Sequence, residues 1–190
     1  MVFGVDHLGP FLLALLLMDK LKANPSRVIN VSSYLAYAYA PPEGITFDNL
    51  DGRKGYNTWT AYGVAKLANI LHAQELQRRF GAAGADVTCV ALSPGTINTN
   101  IARELNFKIL VDQFKTAYHW TNVIYEIFHL KTVDEGASTT IYCAVAPNII
   151  KGEYYAFNDI ETKIRHQQVG NVELAQKLWE VSEAMVGEKP

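Results

Sequence analysis

Ser33 and the run Tyr62-Gly-Val-Ala-Lys66 are the residues whose types and spacing carry chemistry most directly. Positions i and i+4 of a helix share a face, so a helix here brings the Tyr62 phenol and the Lys66 ammonium within reach of each other. A nearby positive charge favours the phenolate and pulls a tyrosine below its usual pKa of about 10. A tyrosine tuned in that way exchanges a proton with an alcohol or carbonyl oxygen near neutral pH. The Ser33 hydroxyl would hydrogen-bond the same oxygen. Together the three groups suit hydride transfer between an alcohol and a nicotinamide.

Tyr-x-x-x-Lys alone arises by chance in many helices, so its surroundings decide its weight. Arg27-Val-Ile-Asn-Val-Ser-Ser33 is a short apolar run rich in β-branched residues. It predicts a buried parallel strand that delivers Ser32 and Ser33 at its carboxyl end, where open α/β sheets place their sites. Asp86-Val-Thr-Cys-Val-Ala-Leu92 predicts a second such strand, running into Ser93-Pro-Gly-Thr-Ile-Asn-Thr99. A first helix is expected over Val5–Lys22, stopped by Asn24-Pro25, and the helix of Tyr62 from Trp59 to Phe80-Gly81. Arg78 and Arg79 then fall in its last turn, where cations suit the helix dipole. The glycine- and proline-bearing stretch from Tyr34 to Thr58 is read as a loop. Thr132-Val-Asp-Glu135 is a capping box before an apolar helix through Ala146, ended by Pro147. A last strand, Glu153–Phe157, and an Asn171-capped helix, Val172–Val186, complete the order.

The chain resembles the short-chain dehydrogenase/reductase (SDR) family, in its retinol dehydrogenase and WW-domain oxidoreductase branch. The resemblance is carried by Phe3-Gly-Val-Asp-His-Leu-Gly-Pro-Phe11, Arg27–Ser33, Tyr62–Asn69, Ser93–Thr99 and Leu178-Trp-Glu-Val-Ser182. It implies the C-terminal part of a Rossmann-type, doubly wound parallel sheet in a three-layer α/β/α fold. The strands here would be the fifth to seventh of the family's sheet, with the N-terminal strands missing and one edge of the Ser33 strand open. The family's glycine-rich Thr-Gly-x-x-x-Gly-x-Gly turn does not occur in this sequence.

That resemblance makes Tyr62 the catalytic acid/base, Ser33 (the second of the two serines) the group that polarises the substrate oxygen, and Lys66 the residue that holds the nicotinamide ribose. Pro94, Gly95, Ile97 and Thr99 would meet the nicotinamide carboxamide. Asp6 stands where the family has an asparagine in a water-linked proton path to the lysine; it keeps an acceptor oxygen but adds a charge that attracts Lys66. The aromatic-rich segment 100–131 corresponds by position to a variable substrate lid; its aromatics either suit an apolar substrate such as a retinoid, steroid or hydrophobic aldehyde or pack a small helical cap. The expected activity is that of an NAD(P)-dependent alcohol dehydrogenase or carbonyl reductase, with NAD or NADP as cofactor. Without the glycine turn, weak or absent cofactor binding is a second expectation, and an inactive truncated fragment acting through protein pairing is the alternative.

With 190 residues, 49% of them hydrophobic, the chain suits one domain over residues 1–190. Seventeen basic against nineteen acidic side chains leave a net charge of −2, which is no footprint for nucleic acid. Cys89 and Cys143 fall in apolar elements and read as buried reduced thiols, and the five histidines show no metal-ligand spacing with them. The greasy run Phe11–Met18 is far short of the ~20 residues a bilayer span needs and lacks a basic flank, so no transmembrane segment and a cytoplasmic location are expected. Helices 5–22 and 59–80 resemble the family's dimerisation helices and point to a homodimer.

Overall fold

The computed structural model describes residues 2–97 and 131–187. Apolar and β-branched residues place Ser26–Val31 (β1) and Val87–Ser93 (β2) side by side in parallel, from Ser26 opposite Val87 to Val31 opposite Leu92. Tyr154–Ala156 (β3) continues the parallel sheet on the far side of β2. Asp159–Ile160 (β4) closes it antiparallel to β3. The fourth strand was not expected from the sequence. Phe157 and Asn158 turn the chain with φ of 50° and 63°, a two-residue hairpin turn without the glycine that usually announces one.

The expected first helix is three pieces: a π-helical turn over Gly4–Leu8, then Gly9–Leu16 (α1) and Met18–Ala23 (α2). Pro10 has no amide proton, so the helical bond to the carbonyl four residues back, that of Asp6, cannot form. The Gly9 amide instead reaches Gly4, and the Asn69 side chain takes the Asp6 carbonyl at 3.0 Å. A short helix, Leu35–Tyr39 (α3), and one 3-10 turn, Phe47–Asn49, occupy the stretch read as a loop. Thr58–Ala82 (α4) follows, capped by Asn57, whose side chain accepts from the Trp59 and Thr60 amides. Val133–Val145 (α5) starts on the expected Thr132–Glu135 capping box, and Val172–Val186 (α6) starts on Asn171.

Side chains alternate across β2 and so define three layers. Cys89 and Ala91 pack towards Phe11, Leu76, Leu71 and Trp179 on one face. Val90 and Leu92 pack towards Cys143 and Tyr155 on the other. The Arg27 guanidinium reaches from β1 to the end of α5, donating to the Cys143 and Ala146 carbonyls at 2.7 Å each. This is the α/β/α arrangement of a partial Rossmann fold. Both cysteines are buried free thiols. On its outer edge β1 has no strand partner among the described residues, and Val31 is 45% exposed there.

One expectation changes. Arg78 and Arg79 do not merely face the helix dipole; both hold the buried Glu75 carboxylate, each at 2.7 Å. On the first of the two helices expected to pair, Val5, Leu13 and Leu16 are exposed. On α4 the exposed residues are Thr58, Arg78, Gly81 and Ala82, because strands, α3 and α6 cover the rest. Among the described residues no helix is long and apolar enough to cross a membrane.

Candidate active site

β1 stops at Val31, so Ser32 and Ser33 lie just past the strand rather than in it. The two hydroxyls have different partners. Ser32, buried, donates to the Lys66 carbonyl at 2.6 Å and fastens the strand end to α4. Ser33 accepts from the Leu35 amide at 3.2 Å, and its hydroxyl lies close enough to the Tyr62 phenol to pull the phenol's pKa down. Tyr62 and Lys66 share one face of α4, with the ammonium 5.2 Å from the phenol ring centre. Lys66 also lies 3.7 Å from the Asp6 carboxylate, so the π turn, the end of β1 and α4 meet in one cluster of Asp6, Ser33, Tyr62 and Lys66.

The electrostatics of that cluster differ from the expectation. Lys66 was expected to lower the Tyr62 pKa; the phenol is instead held above its ordinary value. Burial is the main cause, the Asp6 carboxylate adds to it, and the neighbouring Ser33 hydroxyl opposes both. Asp6 stands between the tyrosine and the benefit of the lysine, because its charge offsets the ammonium it pairs with.

Pro94, Gly95 and Ile97 follow β2 at the same end of the sheet. Gly95 has φ of 82°, a left-handed conformation that favours glycine, and turns the chain sharply. The Ser93 hydroxyl accepts from the Tyr34 and Gly95 amides, tying this turn to the one after Ser33. The Ile97 side chain packs on Gly136 of α5, so what Ile97 offers the cleft is backbone. Thr99, and the 100–131 segment apart from Lys131, lie outside the described residues.

No family model matches the chain. Human "Retinol dehydrogenase 14" is 40% identical over 98% of this chain and 52% of its own length. "Short-chain dehydrogenase TIC 32 A, chloroplastic" of Brassica napus is 33% identical over 99% of this chain and 57% of its own. The chain belongs to the short-chain dehydrogenase/reductase family. Its branch is retinol dehydrogenase-like. Human "Polyprenol dehydrogenase" is 36% identical over 97% of this SDR chain and 54% of its own length. The crystal structure of an uncharacterized protein from Mycobacterium paratuberculosis superposes with a TM-score of 0.69 at 27% identity, covering 98% of this chain and 59% of that one. The chain thus spans about half the length of the curated relatives it matches. The three curated relatives named here carry dehydrogenase names.

Several residues that position this SDR site went unassigned in the sequence. Asn69, one turn beyond Lys66, donates to the carbonyls of Asp6 and Val31. Lys131 donates its backbone amide to Thr96 and its ammonium to the Pro94 carbonyl, bracing the Gly95 turn. Tyr34 bonds Thr96 at 3.0 Å. His7 is fully buried between Asn69 and Ser182. Asn69 and His7 had a signal, their places in the Tyr62–Asn69 and Phe3–Phe11 stretches; Lys131 and Tyr34 depend on contacts between distant segments.

Burial pulls the His7 pKa down to about 4, against a supporting hydrogen bond from Asn69. The unfolded chain takes up this proton near pH 6.5 and the folded chain only near 4, so the unfolded state binds more protons in between. Stability therefore falls as pH drops through that window, by about 3 kcal/mol from this group. Chemical denaturation at pH 7.5 and 4.5 should show the loss, and His7→Phe should shrink it. An equal loss in the variant would show that His7 is not its source.

Proposed function

We propose that the chain supplies the proton-transfer and nicotinamide-facing residues of an NAD(P)-dependent alcohol dehydrogenase or carbonyl reductase acting on an apolar, retinoid-like substrate. The observation that supports it most is the convergence of Ser33, Tyr62, Lys66 and Asp6 with the Gly95 turn at the carboxyl ends of β1 and β2, where open α/β sheets hold their ligands. The donor set fits the nicotinamide end of such a cofactor: one ammonium for ribose hydroxyls, and a sharply turned backbone for a carboxamide. Lys66 would hold the ribose, and the segment from Pro94 the carboxamide. When bound, the nicotinamide supplies or accepts the hydride.

Tyr62 moves the proton. Its raised pKa keeps the phenol protonated at neutral pH, so it acts as the acid towards a carbonyl oxygen, and Ser33 hydrogen-bonds the same oxygen. Asp6 orients the Lys66 ammonium. The names of the retinol and polyprenol dehydrogenases support an apolar alcohol or its carbonyl partner as substrate.

NADH and NADPH titrated into the full chain, read by nicotinamide fluorescence, test the proposal, followed by turnover of retinal. Saturable binding of one cofactor and its oxidation by the aldehyde are expected. A folded chain that binds neither overturns it.

Asp6→Asn is expected to leave the rate unchanged or to raise it. Because the carboxylate is one of the groups that raise the Tyr62 pKa, its removal should move the alkaline limb of the reduction profile to lower pH. A large fall in rate with an unmoved limb would show that Asp6 does not act through Tyr62 and Lys66.

A further inference from the structure

A buried polar chain runs from α6 to Asp6. Asn69 sits one turn beyond Lys66 and is buried; its amide nitrogen donates to the Asp6 carbonyl at 3.0 Å and to the Val31 carbonyl at 3.3 Å. Those two bonds use both amide protons and fix the orientation of the side chain, so Oδ1 is the acceptor facing His7 Nδ1 at 3.4 Å. A neutral His7 then carries its proton on Nδ1. The single Ser182 proton is then shared between His7 Nε2 at 2.9 Å and the Leu178 carbonyl one turn back on α6 at 2.7 Å.

A Ser–His–Asn order also makes nucleophiles in hydrolases. Here Ser182 and His7 are both at 0% exposure, so no substrate reaches the hydroxyl. Packing alone does not call for these groups either, since apolar residues of similar volume would fill the space without the risk of an unsatisfied buried atom. What the chain does is end on Asp6. Pro10 leaves the Asp6 carbonyl without its helical donor, and Asn69 takes that place. Asp6 and His7 are successive residues of the π turn and leave it on different sides, His7 towards α6 and Asp6 towards Lys66. The Asp6–Lys66 pair itself is loose at 3.7 Å.

We propose that Ser182, His7 and Asn69 are positioning residues that hold Asp6 against Lys66 and so couple α6 to the Tyr62–Lys66 pair. The proposal rests on reading Tyr62 and Lys66 as the working pair. Its test reads the resting protein, so a chain that binds no nicotinamide would sink the proposed function and leave this test standing.

Histidine nitrogen NMR of the full chain at neutral pH should show His7 protonated on Nδ1; the opposite tautomer breaks the chain and overturns the proposal. Fluorotyrosine labelling brings phenol titration into an accessible range, and the Tyr62 signal is identified by its loss in Tyr62→Phe. The charged and titratable groups around that phenol are Asp6, Tyr34 and Lys66. In Ser182→Ala the Tyr62 midpoint should fall by about half a pH unit, about a threefold gain in phenolate at fixed pH, as Asp6 drifts away. Ser182→Thr, which keeps the hydroxyl, should restore the wild-type midpoint. If neither Ser182 variant folds, His7→Phe should show the same fall. Loss of thermal stability with an unmoved Tyr62 midpoint would mean the chain only packs α6, and the proposal would be wrong.

Discussion

Replacing Tyr62 by phenylalanine should reduce carbonyl turnover by roughly 10²–10⁴-fold, the usual contribution of a positioned general acid. The substitution removes one hydroxyl and no carbon. The Lys66 ammonium keeps the ring it lies against, at 5.2 Å, and Ser32 keeps its bond to the Lys66 carbonyl. Nothing that would hold the nicotinamide ribose is therefore disturbed, and cofactor affinity should stay nearly intact. Ser33 keeps the bond it accepts from the Leu35 amide, so the turn after β1 persists. Nicotinamide fluorescence and single-turnover kinetics on the same samples separate the two effects. Activity within tenfold of wild type would mean that another group delivers the proton. Loss of binding in step with activity would mean that Tyr62 builds the site rather than working in it.

The parts of this fold that were legible in the sequence are those set by local signals. The capping box at Thr132 formed as read, with the Thr132 amide donating to Glu135 at 2.7 Å. The apolar runs of β1 and β2 became parallel neighbours, and the i, i+4 spacing placed Tyr62 and Lys66 on one face. The misses share a different cause. Asp6 meets Lys66 across sixty positions, and burial of the Tyr62 phenol is contributed by its surroundings, so spacing alone gave the wrong direction for its pKa. Pro10 was visible, but that its missing amide would free a carbonyl for Asn69 depends on where α4 lies. The same holds for the two serines. Which one holds Lys66 and which meets Tyr62 is decided by the strand ending at Val31, one residue short of Ser32.

Gly63, next to Tyr62, should be the least replaceable position on α4. A Cβ added there would lie 2.6 Å from the Ala40 nitrogen and 2.8 Å from the Tyr39 carbonyl carbon. Both are backbone atoms of the α3 end, so no flexible side chain can give way. Tyr39 is further held by stacking on Trp59, with ring centres 5.1 Å apart. Alanine favours a helix over glycine by about 1 kcal/mol, but overpacking of this kind costs about 1–3 kcal/mol and should win. The displaced α3 begins two residues after Ser33, whose hydroxyl caps the Leu35 amide, so the strain reaches the placing of Ser33 beside Tyr62. Gly81 provides the control on the same helix, since its added Cβ meets nothing within 4 Å. Gly81→Ala should be neutral or stabilising in chemical denaturation, and Gly63→Ala destabilising with a larger loss of turnover than of fold. If the two variants behave alike, α3 is free to move away from α4, and the close approach that sets Ser33 beside Tyr62 is not what fixes the site.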